Sequence, residues 1–119
     1  MRTFDEELMY MDKKSKKFLH TYLENASPTG FEAQGQRLWL EYLQPYMDTH
    51  FSDTYGTAVA VHNPEAKYKV VIEAHADEIG WMVNYISEEG YLYVIRNGGS
   101  DHQIAPSMRV RIHTEFLYE

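Results

Sequence analysis

The chain has 119 residues, of which 44% are hydrophobic and 14% aromatic, so it can build one domain with a core and is not a disordered composition. Its formal net charge of -7 argues against a nucleic-acid-binding surface, which requires clustered lysine and arginine. It contains no cysteine, which excludes disulfides and thiolate metal sites and fits a reducing cytosol.

The N-terminal residues carry early acidic side chains and lack the apolar core of a secretion signal. No apolar run approaches the length of a membrane span. We therefore expect a cytoplasmic protein with neither a membrane nor a nucleic-acid partner. The only basic run, at residues 13–17, is typical of the solvated face of a helix.

Two helices are predicted in the first part of the chain. Residues 12–25 place apolar side chains at helical spacing, with lysines filling the other face. After a break, Thr29 and Glu32 have the spacing of a capping box. A second helix is predicted from there to about Leu43, and Pro45 ends it.

Short strands are predicted next. Residues 49–52 form a weak strand and residues 57–62 a second one, with a turn between them. Residues 68–74 are too uniformly apolar for a half-exposed strand, which predicts a central strand covered on both faces, as in an α/β sheet. If Ile72 is buried there, its replacement by alanine should cost about 2–5 kcal/mol.

The pattern changes near Gly80, which is the predicted domain boundary. Residues 81–86 and 91–95 flank a short loop that ends in glycine, which predicts a hairpin. Residues 108–114 alternate between apolar and polar, so one face should be solvated. The expected fold class is α/β, with helices on a small mixed sheet in residues 1–80 and a mostly antiparallel β portion in residues 81–119.

The apolar run before Gly80 delivers His75, and Asp77 follows two residues later. A catalytic zinc usually has three protein ligands, and a ligand histidine needs its other nitrogen held by an acceptor. His75 and Asp77 could supply one ligand and its orienting carboxylate. The pattern is short and common, however, and taken alone it is better explained by a strand-end histidine that the backbone satisfies.

Two other groups of residues allow weaker interpretations. Two of the acids Glu73, Asp77 and Glu78 could form a carboxylate pair for glycoside hydrolysis, although solvated acids explain them better. Asp101 and His102 could form a second site, although a polar loop that caps the hairpin is the simpler explanation. No phosphate-binding loop or nucleophile elbow is present in the sequence.

Five sequence motifs occur in a fixed order along the chain. They are SPTGFE at 27–32, DTYGT at 53–57, EAHADEIG at 73–80, GG at 98–99 and RVRIHT at 109–114. Each is weak by itself, but together they resemble the N-terminal part of the tetrahedral dinuclear-metal aminopeptidases. That family includes glutamyl and deblocking aminopeptidases, and many members carry an older endoglucanase or cellulase label. The ordered set favours a metal-binding role for His75.

The resemblance implies a phosphorylase/hydrolase-like catalytic α/β domain, with a smaller β-rich dimerisation domain inserted near Gly80. It implies that His75 binds one of two divalent metal ions, zinc or cobalt, and that Asp77 is the catalytic-site carboxylate that orients it. The two metals would polarise the carbonyl of a peptide substrate and activate a water, with a glutamate as general base. Residues 81–119 would be the incomplete start of the inserted domain.

The chain also departs from the family pattern. In the family the base glutamate and the other ligands lie beyond Glu119, and residues 116–119 do not continue the pattern. We therefore expect an aminopeptidase fragment that binds at most one metal ion weakly, self-associates, and has no peptidase activity alone. Two alternatives remain open at this stage. One is a non-catalytic interaction module, and the other is a polysaccharide hydrolase.

Overall fold

A computed structural model describes residues 10–114, apart from the side chain of His102. The elements are α1 (Lys13–Glu24), α2 (Ala33–Leu43), a 3-10 turn (Gln44–Tyr46), β1 (Thr49–Ser52), β2 (Ala58–Val61), β3 (Gly80–Ile86), β4 (Leu92–Asn97) and a second 3-10 turn (His102–Ile104). The chain forms two compact units, divided after Gly80. No helix in the described part is both long and apolar enough to cross a bilayer.

Helix α1 confirms the helix predicted at residues 12–25. Its N-cap is Asp12, whose carboxylate accepts hydrogen bonds from the backbone amides of Lys14 at 2.8 Å and Ser15 at 2.9 Å. The ring of Phe18 stacks on the ring of Tyr42 in α2, with centroids 4.0 Å apart. The Ser15 hydroxyl lies 2.7 Å from the Tyr42 hydroxyl, so aromatic stacking and a hydrogen bond join the two helices.

Helix α2 ends at Leu43 as predicted, but the capping box proposed for its start was wrong. The N-cap is Glu32, which makes no side-chain capping bond. Its carboxylate instead accepts a hydrogen bond from the Gly30 amide at 2.6 Å, and the Thr29 hydroxyl is directed to a distant carboxylate described below. The helix packs against α1 and β2, and the Gln36 side-chain amide donates to the carbonyl of Gly56.

Strands β1 and β2 confirm the two predicted short strands. They pair antiparallel, with Thr49 opposite Val61 and Ser52 opposite Ala58. The Asp53 carboxylate accepts hydrogen bonds from the backbone amides of Tyr55 and Thr57, both at 2.9 Å. These two bonds close the turn between the strands.

The predicted central strand at residues 68–74 was wrong. This segment pairs with no strand in the part of the chain that the structure describes. Its apolar side chains are exposed, with Val71 82% and Ile72 94% accessible to solvent. A uniformly apolar run becomes a central strand only where neighbouring strands and helices cover it. Within residues 10–114 the first sheet consists of β1 and β2, so a two-stranded antiparallel sheet replaces the expected mixed sheet.

The exposure of Ile72 reverses the expected effect of removing its side chain. Replacing Ile72 with alanine should change the free energy of unfolding by no more than about 0.5 kcal/mol, because almost no contact is lost. Val59→Ala in β2 is the matched control and should destabilise more, because Val59 is half-buried. Urea unfolding followed by circular dichroism measures both. A loss of about 2 kcal/mol or more in Ile72→Ala would show that the segment is buried in solution.

The second unit contains the predicted hairpin, formed by β3 and β4. At its turn the Ser87 amide donates to the carbonyl of Tyr91 at 2.9 Å, and Gly90 has a φ of 87°, which favours glycine. The rings of Tyr85 and Tyr93 lie 5.6 Å apart across the two strands. Residues 108–114 form no strand, and their apolar side chains are exposed. Residues 116–119, which were expected to depart from the family's sequence pattern, lie outside the described residues.

Candidate functional site

Two loops of the first unit meet at the candidate site. We call them the loop clasp: residues 27–30, between the two helices, and residues 77–80, which end at the first residue of β3. Pro28 and Glu78 form a parallel β-bridge. The Glu78 amide donates to the Ser27 carbonyl at 2.8 Å, and the Glu78 carboxylate accepts from the Ser27 amide at 2.9 Å. The backbone and the side chain of Glu78 thus both bind Ser27.

The clasp is closely packed where glycines border it. Ser27 is buried, and its hydroxyl accepts a hydrogen bond from the Asn25 side-chain amide at 3.0 Å. A Cβ atom at Gly80 would lie 2.6 Å from Cβ of Pro28, and one at Gly35 would lie 2.8 Å from Oγ of Ser27. The close approach of these segments therefore depends on the absence of a side chain at both glycines.

The clasp positions Asp77 between two partners. The Thr29 hydroxyl donates to Oδ2 of Asp77 at 2.6 Å. Oδ1 of Asp77 lies 3.0 Å from Nδ1 of His75, and the backbone oxygen of Asp77 lies 3.1 Å from the same nitrogen. Each carboxylate oxygen of Asp77 therefore has its own partner, and the structure brings together both residues that the sequence identified.

The electrostatics of the site follow from these contacts. The hydrogen bond from Thr29, supported by His75, holds the pKa of Asp77 below the ordinary value of an aspartate, although partial desolvation opposes the shift. Asp77 is thus an ionised, acceptor-only group at neutral pH, so Nδ1 of His75 must be the donor between them. In the neutral ring, Nε2 then carries the free lone pair. The His75 side chain is 86% exposed, so a ligand can reach that nitrogen.

This arrangement fits one ligand of a metal ion. Metal-binding histidines commonly donate their second ring nitrogen to a carboxylate, as His75 does to Asp77. The described residues contain no group of three or more histidine, aspartate or glutamate side chains that could hold an ion. Two other acids have their own partners. The Glu78 carboxylate accepts a hydrogen bond from the Ser27 amide, and the Asp101 carboxylate caps the second 3-10 turn by accepting one from the Gln103 amide.

Two residues of the site were not identified from the sequence. Thr29 was assigned to a capping box, and Ser27 received no role. Both belong to the motif at residues 27–32, whose position among the ordered motifs was the available signal. Their partners lie about fifty residues further along the chain, and no local pattern indicates such a pairing.

The model of the M42 glutamyl aminopeptidase family matches residues 56–117, which is just over half of the chain. The chain therefore belongs to the M42 glutamyl aminopeptidase family, and by family it is a hydrolase. The resemblance drawn from the five motifs is confirmed.

Three aminopeptidases are similar in sequence. The lysyl aminopeptidase of Pyrococcus furiosus is 34% identical over 94 residues, which cover 78% of this chain and 27% of that protein. A putative aminopeptidase of Acetivibrio thermocellus is 32% identical over 83 residues, covering 70% of this chain and 25% of that protein. The putative aminopeptidase FrvX of Escherichia coli K12 is 30% identical over 96 residues, covering 81% and 27%.

A solved structure is also similar. A TET aminopeptidase from the marine sediment archaeon Thaumarchaeota archaeon SCGC AB-539-E09 matches with a TM-score of 0.69 and 27% identity. The match covers 86% of this chain and 26% of that chain. The chain thus spans about a quarter of the length of the relatives and of the solved structure.

Proposed function

We propose that this chain contributes the first metal ligand to a metal-dependent aminopeptidase, which removes N-terminal residues from peptides. The observation that carries the proposal is the His75 imidazole, whose Nδ1 is engaged by Asp77 in a chain of the M42 family. His75 would bind one of two divalent ions, zinc or cobalt. Asp77 would be the catalytic-site carboxylate that orients it.

The chain's own residues would prepare this ligand. Asp77 holds the proton on Nδ1, which leaves Nε2 able to bind a cation. The clasp keeps Asp77 in place through Thr29 and through the Glu78–Ser27 bonds. When bound, the metal ions would supply Lewis-acid polarisation of the scissile carbonyl and a more acidic water.

We further propose that the chain alone is inactive. One imidazole cannot hold two metal ions, and the described residues offer no set of three ligands. The remaining ligands and the general base would come from the three quarters of the relatives' length that this chain does not span. On its own the chain would bind at most one ion weakly.

A second candidate is a small interaction module that acts without catalysis. The exposed apolar side chains at Val70, Val71 and Ile72 favour it, because an uncovered apolar segment promotes association. The same surface would promote the self-association expected of the chain. The two candidates differ in whether His75 takes part in hydrolysis.

A chimera tests the proposal. In the lysyl aminopeptidase of Pyrococcus furiosus, the matched 94-residue segment would be replaced by that of this chain. With zinc or cobalt present, the chimera is expected to hydrolyse aminoacyl-nitroanilides, because the host would supply the missing ligands. The 119-residue chain, assayed alone with the same metals, should give no turnover above the metal-only rate.

The controls separate failure of folding from failure of the proposal. The host lacking the segment gives the background rate, and circular dichroism with metal analysis shows whether the chimera is folded and loaded. A folded, metal-loaded chimera without hydrolysis would contradict the proposed function. Turnover by the chain alone that disappears in His75→Ala would contradict the proposed inactivity.

A further inference from the structure

We infer that Thr29 is a positioning residue: by donating to Oδ2 of Asp77, it holds Oδ1 toward Nδ1 of His75. Oδ1 thereby adds to the backbone oxygen of Asp77, which lies 3.1 Å from the same nitrogen, in favouring the imidazole tautomer with the proton on Nδ1. The hydroxyl and the carboxylate oxygen are 2.6 Å apart, a short charge-assisted contact. The consequence for metal binding rests on the proposed function. The contact and its effect on the tautomer do not.

Asp77 needs such a partner because nothing in its own side chain fixes the orientation of its carboxylate. The carboxylate can rotate about its terminal torsion between broad, roughly two-fold wells. Its side chain is 35% exposed, so water can compete for its oxygens. Without a donor on Oδ2, the carboxylate would exchange its oxygens and its orientation relative to Nδ1 of His75.

Thr29 is itself held by its neighbours in the clasp. Pro28 forms the bridge to Glu78, and the Phe31 amide donates to the Pro28 carbonyl at 2.8 Å. The Gly30 amide donates to the carboxylate of Glu32. The residues on both sides of Thr29 are therefore fixed, and its hydroxyl reaches Asp77 from a backbone of defined conformation.

A purely structural role for Thr29 makes a different prediction. If the hydroxyl only joined two loops, its removal would lower stability and leave the His75 tautomer unchanged. If it positions Asp77, its removal would change the tautomer in a chain that remains folded. The protonated nitrogen of His75 is therefore the quantity to measure.

The experiment uses the 119-residue chain without metal, labelled with ¹⁵N, at a pH where the imidazole is neutral. Long-range ¹⁵N–¹H correlation spectra identify which ring nitrogen carries the proton. The unmodified chain should show mainly the Nδ1–H form. Thr29→Val, which removes the hydroxyl at nearly constant shape, should weaken that preference, because the backbone oxygen of Asp77 then remains as an acceptor near Nδ1 but Oδ1 is no longer held there. Thr29→Ser should keep the full preference.

Thr21→Val is the matched control, because the Thr21 hydroxyl donates to the Lys17 carbonyl on α1. It should leave the His75 tautomer unchanged. An unchanged tautomer in Thr29→Val, or an equal change in Thr29→Ser or Thr21→Val, would overturn the inference. Should Thr29→Val fail to fold, the side-chain couplings of Asp77 in the unmodified chain decide. One rotamer would support positioning, and averaging over rotamers would overturn it.

Asp77→Asn separates this inference from the proposed function. A tautomer change in Asp77→Asn without one in Thr29→Val would remove the role of Thr29 and leave the His75–Asp77 pair intact. A tautomer change in Thr29→Val with an inactive, metal-loaded chimera would support the positioning role and remove the peptidase assignment.

Discussion

Replacing Gly80 with alanine should destabilise the first unit by about 1–3 kcal/mol, the usual cost of overpacking a tight contact. The new Cβ would lie 2.6 Å from Cβ of Pro28. That atom belongs to a ring fixed to the backbone, so it cannot rotate away as a flexible side chain would. Relief requires the two loops of the clasp to separate, which would weaken the Pro28–Glu78 bridge and the contact between Thr29 and Asp77.

Urea unfolding followed at the helix band of circular dichroism measures this loss, since α1 and α2 both belong to the first unit. Faster hydrogen exchange of the Glu78 amide would place the damage at the clasp, because that amide donates to Ser27. Gly99→Ala is the control, since a Cβ there meets no atom within 4 Å and should change stability by no more than about 0.5 kcal/mol. Equal unfolding midpoints for the two variants would contradict the packing argument.

The helices and strands that were predicted correctly are those that depend on contacts between residues close together in the sequence. Helix α1 follows from its apolar spacing and from the Asp12 cap, which bonds to amides two and three residues away. The β3–β4 hairpin follows from two apolar runs and a loop that needs glycine at Gly90, where φ is positive. In each case the residues that contact one another are neighbours in the sequence, so the local sequence pattern is sufficient to predict the element.

The segment at residues 68–74 shows the opposite case. Its apolar run indicates the surroundings to which the segment is suited, not whether those surroundings are present. Burial of Val71 or Ile72 would need strands and helices on both sides, and neither residue is covered in the described structure. The hydrophobic pattern therefore predicted strands correctly at β1 and β2, which pair with each other. At residues 68–74 the same kind of pattern predicted a strand that does not form.

The candidate site was predictable in part for the same reason. His75 and Asp77 are two residues apart, so their contact follows from a local pattern. The bond between Thr29 and Asp77 joins residues 48 positions apart. Locally, Thr29 and Glu32 suggest a capping box, in which the Thr29 hydroxyl oxygen would accept from a backbone amide. In the structure the hydroxyl donates to the distant carboxylate of Asp77, and Glu32 is itself the N-cap of α2.

In the aminopeptidase chimera, His75→Ala should lower kcat/KM by about 100-fold or more, because a ligand is lost outright. Asp77→Asn should lower it by about 10–100-fold, the usual effect of removing the carboxylate that orients a ligand histidine. His62→Ala is a demanding control, since His62 is 79% exposed and its Nδ1 lies 3.4 Å from Oδ2 of Asp48. It matches His75 in chemistry, but its partner Asp48 lies outside the clasp, whereas Asp77 belongs to it. Metal content and kcat/KM should therefore fall in the first two variants alone, and an equal fall in His62→Ala would show that exposed His–Asp pairs in general, not this site, support the activity.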